Sequence, residues 1–297
     1  MLKWFLRALI ALVLLVILAA AVVYAMSQRR LTQRVTVPQE ALSVHLAGGD
    51  VRRGAHFATA IAECMNCHGS NAGGRLFVND GALGTYYAPN LTRGPGGAAA
   101  TFTDADWERA LRFGAAPDGR PLLIMPSRDF AELSERDFAD IVAYIRSLPP
   151  VTNTTPPPHV GPVGRFLFAI GQLRVGAEEI HRDAPVPSTV QASVSVAYGR
   201  YLARIGGCMD CHGAHLSGGH LEGAPSDPPA QNLTRGGDLG HWSFEQFTRT
   251  LRTGRRPDGS SLASFMPWPQ VGQMNDDELR AIFLFLKSVP PRQSGTG

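Results

Sequence analysis

The 297-residue chain has only 4 cysteines, and Lys3 and Lys287 are its only lysines. Arginine therefore carries nearly all of the positive charge. Four cysteines allow at most two disulfides, far from the cysteine density of a small stapled domain. A strong charge of either sign is also missing. The formal net charge is +3, and residues 1–44 alone hold five basic groups against one acid. Neither half of the remainder is basic enough for a nucleic-acid footprint. No run of alternating strands, glycine-rich phosphate loop after a strand or Ser-His-Asp pattern is present, so nothing points to a sheet-based nucleotide or hydrolase site. Glycine and proline are plentiful, 32 and 22 residues, yet below the level of a disordered low-complexity chain. They predict short helices joined by long ordered loops. At roughly 100–200 residues per domain, the length predicts two domains.

One long hydrophobic run does occur. Ala8 to Met26 is 19 residues without a charge, about 28 Å as a helix and enough to cross a hydrocarbon core. Lys3 and Arg7 precede it, and Arg29, Arg30 and Arg34 follow it. A cleaved signal peptide has a shorter apolar core, usually 7–15 residues, and a small-x-small cleavage site; this run leads instead into Ser27-Gln28-Arg29-Arg30. A buried core helix is a third reading, less suited to a run that is apolar on every face. The expectation is an uncleaved anchor within residues 1–30. Both flanks are basic, so the charge rule for orientation does not decide it.

The rest of the chain repeats itself. Cys64-Met65-Asn66-Cys67-His68 answers Cys208-Met209-Asp210-Cys211-His212. Asn90-Leu91-Thr92-Arg93 answers Asn232-Leu233-Thr234-Arg235, Met125-Pro126 answers Met266-Pro267, and Ser147-Leu148-Pro149-Pro150 answers Ser288-Val289-Pro290-Pro291. With two copies and offsets of 140–144 residues, the pattern predicts duplicated domains over 45–150 and 195–292, joined by a linker over 151–194, and not a solenoid. Each copy reads as mostly helical: an opening helix into the Cys pair, a middle helix over Asp104–Phe113 or Ser243–Thr253, and a last helix over Glu135–Ser147 or Asp276–Ser288. Ser134 with Asp137 and Asn275 with Glu278 resemble capping boxes, and Pro-Pro stops both last helices. Phe57 and Tyr201, each seven residues before a first cysteine, are expected to face Tyr144 and Phe285 on the last helices. Val163–Ile180 in the linker reads as one short helix, too short and too charged to span a membrane.

All four cysteines lie in the two Cys-x-x-Cys-His pentapeptides, the attachment signal for c-type haem. Two thiols must each reach one vinyl group of the same porphyrin, and the next residue must place an imidazole on the iron. Zinc would need four ligands near one another, yet the pairs are 144 residues apart. A thioredoxin-like redox pair would want a βαβ context. A disulfide framework would scarcely place every cysteine in an identical pentapeptide with histidine. The pattern therefore predicts two covalently attached haems c, held by Cys64, Cys67, Cys208 and Cys211, with His68 and His212 on the irons. Haem c is attached on the periplasm-like side of an energy-transducing membrane, which orients the anchor N-in, C-out.

For the second axial position, Met125 and Met266 occupy equivalent places, 57 and 54 residues after His68 and His212. Each precedes proline, which disfavours helix and fixes a loop able to present sulfur; the alternative is that each fills a gap in the core. His45, His56, His159, His181, His215, His220 and His241 compete for the role, but none recurs between copies. His/Met ligation leaves no open position and suits electron transfer rather than oxygen or peroxide chemistry. The Asn-Leu-Thr sequons are read as haem-packing loops and not as glycan acceptors. Arg93 and Arg235 are either propionate partners or ordinary surface arginines, and Trp107 and Trp242 are core or haem-edge aromatics.

These motifs resemble class I cytochrome c domains: Cys-x-x-Cys-His after a first helix, a Met-Pro loop, and a terminal helix ending before Pro-Pro. AlaProAsnLeuThr at 88–92, the ProAspGly turns, PheMetPro at 265–267 and LeuLysSerValProPro at 286–291 resemble the multi-haem cytochrome subunits of membrane-bound periplasmic dehydrogenases. The sequence departs from that pattern at Gln231, where the first copy has proline, and at IleMetProSer around Met125. The resemblance implies a mostly α fold, an N-terminal transmembrane helix followed by two tandem class I cytochrome c domains. It also implies a single-pass protein of the bacterial inner membrane with haem domains in the periplasm. Such a protein carries electrons between a dehydrogenase or quinol-linked donor and a downstream acceptor; its partners are redox proteins and the membrane, not nucleic acid. Two other readings are the two-haem subunit of a haem–copper oxidase and a dihaem cytochrome c peroxidase, the latter needing a haem position that can open.

Overall fold

Helix α1, Leu2–Thr32, takes up the whole N-terminal run. The computed structural model describes residues 1–37, 42, 44, 46–180, 186–219 and 229–295. Among them, α1 is the one helix long and apolar enough to cross a membrane. None of its most apolar 18-residue window is buried in the protein, which removes the core-helix reading.

The first repeat begins with α2, Val51–His56, which continues into a π-helical turn over Phe57–Ile61. The one-turn helix α3, Cys64–His68, follows, then a hairpin of β1, Arg75–Asp80, and β2, Gly84–Ala88. Helices α4, Asp104–Phe113, α5, Ser127–Phe130, and α6, Glu135–Ser147, complete it. The stretch between the repeats holds β3, His159–Val160, and α7, Pro162–Ile170. The second repeat holds α8, Val196–Ile205, α9, Cys208–His212, α10, Phe244–Thr253, α11, Trp268–Val271, and α12, Asp276–Ser288.

The helix limits follow from local chemistry. Thr103 and Asp106 close a reciprocal capping box on α4, Ser243 and Gln246 one on α10, and Asn275 and Glu278 one on α12. Gly114 and Gly254, at φ 63° and 67°, end α4 and α10 in the left-handed conformation that glycine takes without steric cost. The stripes Phe138, Ile141, Val142, Ile145 and Leu279, Ile282, Leu286 are buried. Each last helix crosses its opening helix at backbone contact. A Cβ on Gly54 would lie 1.8 Å from the Asp140 carbonyl oxygen, and one on Gly199 would lie 1.9 Å from that of Ala281. No side chain fits either crossing.

That crossing corrects the register of the repeat. Gly54 precedes Cys64 by ten residues, whereas Gly199 precedes Cys208 by nine. The π-helical turn absorbs the extra residue, the usual way in which one insertion is housed without breaking a helix. Upstream of that turn, His56 corresponds to Tyr201 and Phe57 to Leu202. Phe57 is buried in the core. Tyr201 does not turn to Phe285; its hydroxyl crosses to the first repeat, accepts from the Ser134 N–H at 3.0 Å and donates to Asp137. The Ser134 box is consequently one-sided. The Ser134 hydroxyl accepts from the Asp137 N–H, but the return bond to the Ser134 N–H comes from Tyr201.

The repeats pack around an approximate two-fold relation. Tyr201 meets Asp137 at the start of α6, and His56 meets Glu278 at the start of α12, with Nε2 2.8 and 2.9 Å from the two carboxylate oxygens. Helix α5 lies against α8, and α11 lies against the π-helical turn. One apolar core runs through both repeats, from Phe57, Ile61 and Phe138 to Leu202, Phe247 and Leu279.

The small antiparallel sheet β1-β2-β3 was not expected from the residue pattern. Five of the six β1 residues are exposed, so no alternation marks it. Its third strand comes from the linker, with His159 opposite Thr85. The predicted linker helix is shorter than expected, because Gly171 at φ 79° stops α7; a 3-10 turn over Gly176–Glu179 follows.

Candidate functional site

Within a helical turn, positions i, i+3 and i+4 share one side. The one-turn helices α3 and α9 therefore bring Cys64, Cys67 and His68, and likewise Cys208, Cys211 and His212, to a common face. The residue before each first cysteine is left-handed: Glu63 at φ 50° and Gly207 at φ 65°. This turns the chain sharply between the opening helix and the motif. The return loops also match, with Gly74 N–H donating to the His68 carbonyl and Gly218 N–H to that of His212, both at 2.9 Å.

His68 and His212 are buried. His68 Nδ1 lies 2.8 Å from the Pro89 carbonyl oxygen, and His212 Nδ1 lies 2.7 Å from that of Gln231. A carbonyl only accepts, so Nδ1 carries the proton and Nε2 keeps its lone pair, the arrangement that fixes a metal-ligating imidazole. Burial pushes both rings below the ordinary histidine range. The Gln231 departure is thus harmless to this bond, because the backbone makes it.

The cysteines form no disulfide. Burial pushes the Cys64 and Cys208 thiols up to about 12, which suits neither a redox pair nor a thiolate nucleophile. Among the described residues, no group of three His, Cys, Asp or Glu side chains is placed to hold a metal, which counts against zinc.

Met125 and Met266 are half-buried and pack against the same core as Cys64 and Cys208. Their loops are alike. Ser127 N–H donates to the Met125 carbonyl and Trp268 N–H to the Met266 carbonyl, both at 2.8 Å. The intervening prolines sit at φ −78°, ψ 56° and φ −79°, ψ 44°, close to an inverse γ-turn. Of the competing histidines, His56 is engaged by Glu278, and His159, His215 and His241 are exposed. His45, His181 and His220 lie outside the described residues.

The Asn-Leu-Thr turns are internal. Asn90 and Asn232 are buried and donate to the Val151 and Arg292 carbonyls, just beyond the last helices, while accepting from Thr92 and Thr234. They clamp the loop, and a glycan has no room there. Arg93 and Arg235 are exposed.

Trp107 Nε1 is buried with no acceptor among the described residues. A buried N–H of this kind requires a partner, and a carboxylate of an enclosed prosthetic group would supply one. With the paired thiols, the buried imidazoles and the matched methionine loops, it makes the residues fit a haem.

Residues 51–149 match the family described as cytochrome c. They form a cytochrome c domain. The chain is 28% identical over 269 residues to a protein of Gluconacetobacter polyoxogenes named alcohol dehydrogenase (quinone), cytochrome c subunit, covering 81% of this chain and 56% of that one. It is 27% identical over 266 residues to a diheme cytochrome c-type protein of Cereibacter sphaeroides, covering 82% and 86%. It is 23% identical over 257 residues to the fructose dehydrogenase cytochrome subunit of Gluconobacter japonicus, covering 80% and 52%. The chain thus spans about half the length of these two dehydrogenase subunits.

Beyond the cytochrome c motifs, the sequence reading missed the face where the repeats meet. Arg128, next to α5's first residue, pairs with Asp210 inside the second motif, and Arg204 pairs with Glu132 at 2.6 Å. Asp129 is buried beside Asp210, and burial together with that neighbouring carboxylate raises its pKa. Burial also pushes the Glu63 carboxyl up to about 8. The one available signal was the mismatch of Glu63 with Gly207.

Proposed function

We propose that the chain is a membrane-anchored dihaem cytochrome c, an electron carrier and not itself a catalyst. In this reading α1 holds it to the bacterial inner membrane and the two repeats lie in the periplasm as tandem cytochrome c domains. It would relay electrons from a dehydrogenase or a quinol-linked donor to a downstream acceptor. The observation that carries the reading is the repeated motif geometry: a one-turn helix, a buried imidazole held by a backbone carbonyl through Nδ1, and a Met-Pro turn, present twice.

Each bound haem supplies a one-electron couple at its iron. The chain does the rest. Cys64 and Cys67, and Cys208 and Cys211, tether the group. His68 and His212 direct Nε2 at the metal, while Met125 and Met266 offer a soft thioether, which favours the reduced state relative to a second imidazole. Leu111, Phe130, Phe247 and Leu251 keep water from the interior. The face where α5 meets α8 and Arg128 meets Asp210 brings the two motif regions close, which supports transfer within one molecule.

The test is the purified holoprotein. Two haems per chain by the pyridine haemochrome method, methionine-to-iron charge-transfer absorption in the oxidised state and no response to peroxide are expected. A high-spin haem that turns over peroxide would overturn the reading in favour of a peroxidase.

A further inference from the structure

Helix α7 has nine residues, PVGRFLFAI, and a single charge, Arg165. One side is built into the protein. Gly164 sits under the Leu83 carbonyl, where a Cβ would come within 2.3 Å. Phe168 joins a small core with Tyr86, Val160 and Val175, against which Leu31 of α1 packs. The other side carries Val163, Phe166 and Ile170, exposed by 44%, 48% and 52%. Their spacings of three and four residues put them on one stripe. A helix at a water-facing surface presents polar residues outward, and one apolar all round belongs in a core or in a membrane.

What covers this stripe follows from where α7 sits. Arg165 is half-buried and turned against α1. Its guanidinium lies 4.4 Å from the centroid of the Tyr24 ring and donates to Ser27 Oγ and Gln28 Oε1, each at 3.2 Å. Those residues mark where the apolar run of α1 ends and Arg29-Arg30 begins. Tyrosine and arginine at such a boundary are the side chains that settle at headgroup depth. The bilayer that would enclose α1 therefore ends at the level where α7 lies against it. Arg29, Arg30 and Arg165 stand at this level, and among the described residues Arg30 pairs with Glu178 at 3.7 Å. That excess suits anionic phospholipid headgroups.

We propose that α7 is a second membrane contact, lying in the lipid interface beside the anchor with Val163, Phe166 and Ile170 in the acyl boundary. It rests on the reading of α1 as a spanning helix. At about 13 Å, α7 is too short to cross a bilayer and long enough to lie along its surface. With α1 it gives the first repeat two attachments, which fixes its tilt on the membrane.

The experiment places photoreactive benzoylphenylalanine singly at Phe166, Ile170, Leu15 and Leu284 of the full chain in vesicles of phosphatidylethanolamine and phosphatidylglycerol, and reads adducts by mass. Phospholipid mass shifts at 166, 170 and 15, with none at 284, are expected. Lipid at 15 but at neither 166 nor 170 overturns the inference and leaves the anchor intact. Lipid at 166 or 170 without 15 overturns the spanning reading and the proposal that rests on it. Protein adducts at 166 and 170 assign the stripe to a second copy or a partner chain, and lipid at 284 as well makes the labelling unspecific; either result overturns the proposal.

Discussion

The residue before the first cysteine of each motif must take positive φ, and the two repeats meet that demand differently. Gly207 adopts it freely, while Glu63 adopts it against the Cβ penalty and with its carboxyl half-buried. The same asymmetry recurs one step earlier, where the first repeat carries one residue more and stores it in a π-helical turn. It recurs again at the last helix: α12 has a complete cap of its own, but α6 borrows a hydroxyl from the other repeat. The second repeat is thus the better resolved local solution, and the first depends on its neighbour. Where function is proposed to reside, at the imidazoles and the Met-Pro turns, the copies agree to 0.1 Å in their hydrogen bonds. The differences are scaffold differences, and each can be pushed until it fails.

The largest effect is expected at the proposed metal positions. His212→Ala should remove about half of the low-spin haem signal, and Met266→His should lower one midpoint potential while leaving the other in place. Met125→His should do the converse. A redox titration in which both potentials hold still in either methionine variant would remove that methionine from the ligand set.

Next comes the borrowed cap. Tyr201→Phe leaves the Ser134 N–H and Asp137 without their partner across the interface and should cost about 1–3 kcal/mol. The check is a denaturant titration of the full chain in detergent. The counterpart, His56→Gln, should cost less, because the α12 box keeps both of its own bonds. Equal losses would mean that the approximate two-fold relation is also energetic, and that the first repeat is not the dependent one.

Backbone strain gives a smaller effect. Gly207→Ala should destabilise by about 1–2 kcal/mol and Glu63→Gly should stabilise by about 1 kcal/mol, both read from thermal unfolding. The Glu63 gain should grow with pH. Its carboxyl rises from 4.5 to about 8 in the fold, so the favourable protonated form is fully present below 4.5 and is lost as pH climbs through about 8. A Glu63→Gly gain that is flat between pH 6 and pH 9 would show that the carboxyl is not held protonated.

Much of this was legible from residues alone because it is local. Cys-x-x-Cys-His encodes one helical turn, Ser134 and Asn275 encode helix starts, and Met-Pro encodes a loop. What stayed hidden depends on contacts distant in sequence. A one-residue shift upstream of Cys64 cannot be seen until Gly54 and Gly199 are both found against a last helix. That shift is why Tyr201 was matched with Phe57 and not with His56. Strand β1 escaped because its side chains face solvent and its sheet is completed by His159–Val160, more than seventy residues away. Helix α7 was legible as a helix, but its uncovered stripe is visible only against α1.

The smallest predicted effect separates the two interface contacts by pH. The Glu278 carboxylate beside His56 raises the imidazole pKa above 6.5, and burial opposes it. A pKa raised by folding contributes stability that is complete below the unfolded value and fades as pH rises through the folded one. Arg53, which lies near His56, works against the charge but is itself engaged by Asp137 and Asp140. The Tyr201 contact has no such window, because burial and Asp137 move the phenol far above the ordinary tyrosine range. The difference in unfolding free energy between the parent chain and His56→Gln should therefore be about 0.5–1 kcal/mol at pH 6, since the imidazole is partly solvent-screened, and should shrink by pH 9. The corresponding difference for Tyr201→Phe should stay level over the same span. Parallel pH profiles for the two variants would mean that the His56–Glu278 contact holds as a neutral hydrogen bond, and the two-fold relation would then extend to the charge state of its contacts.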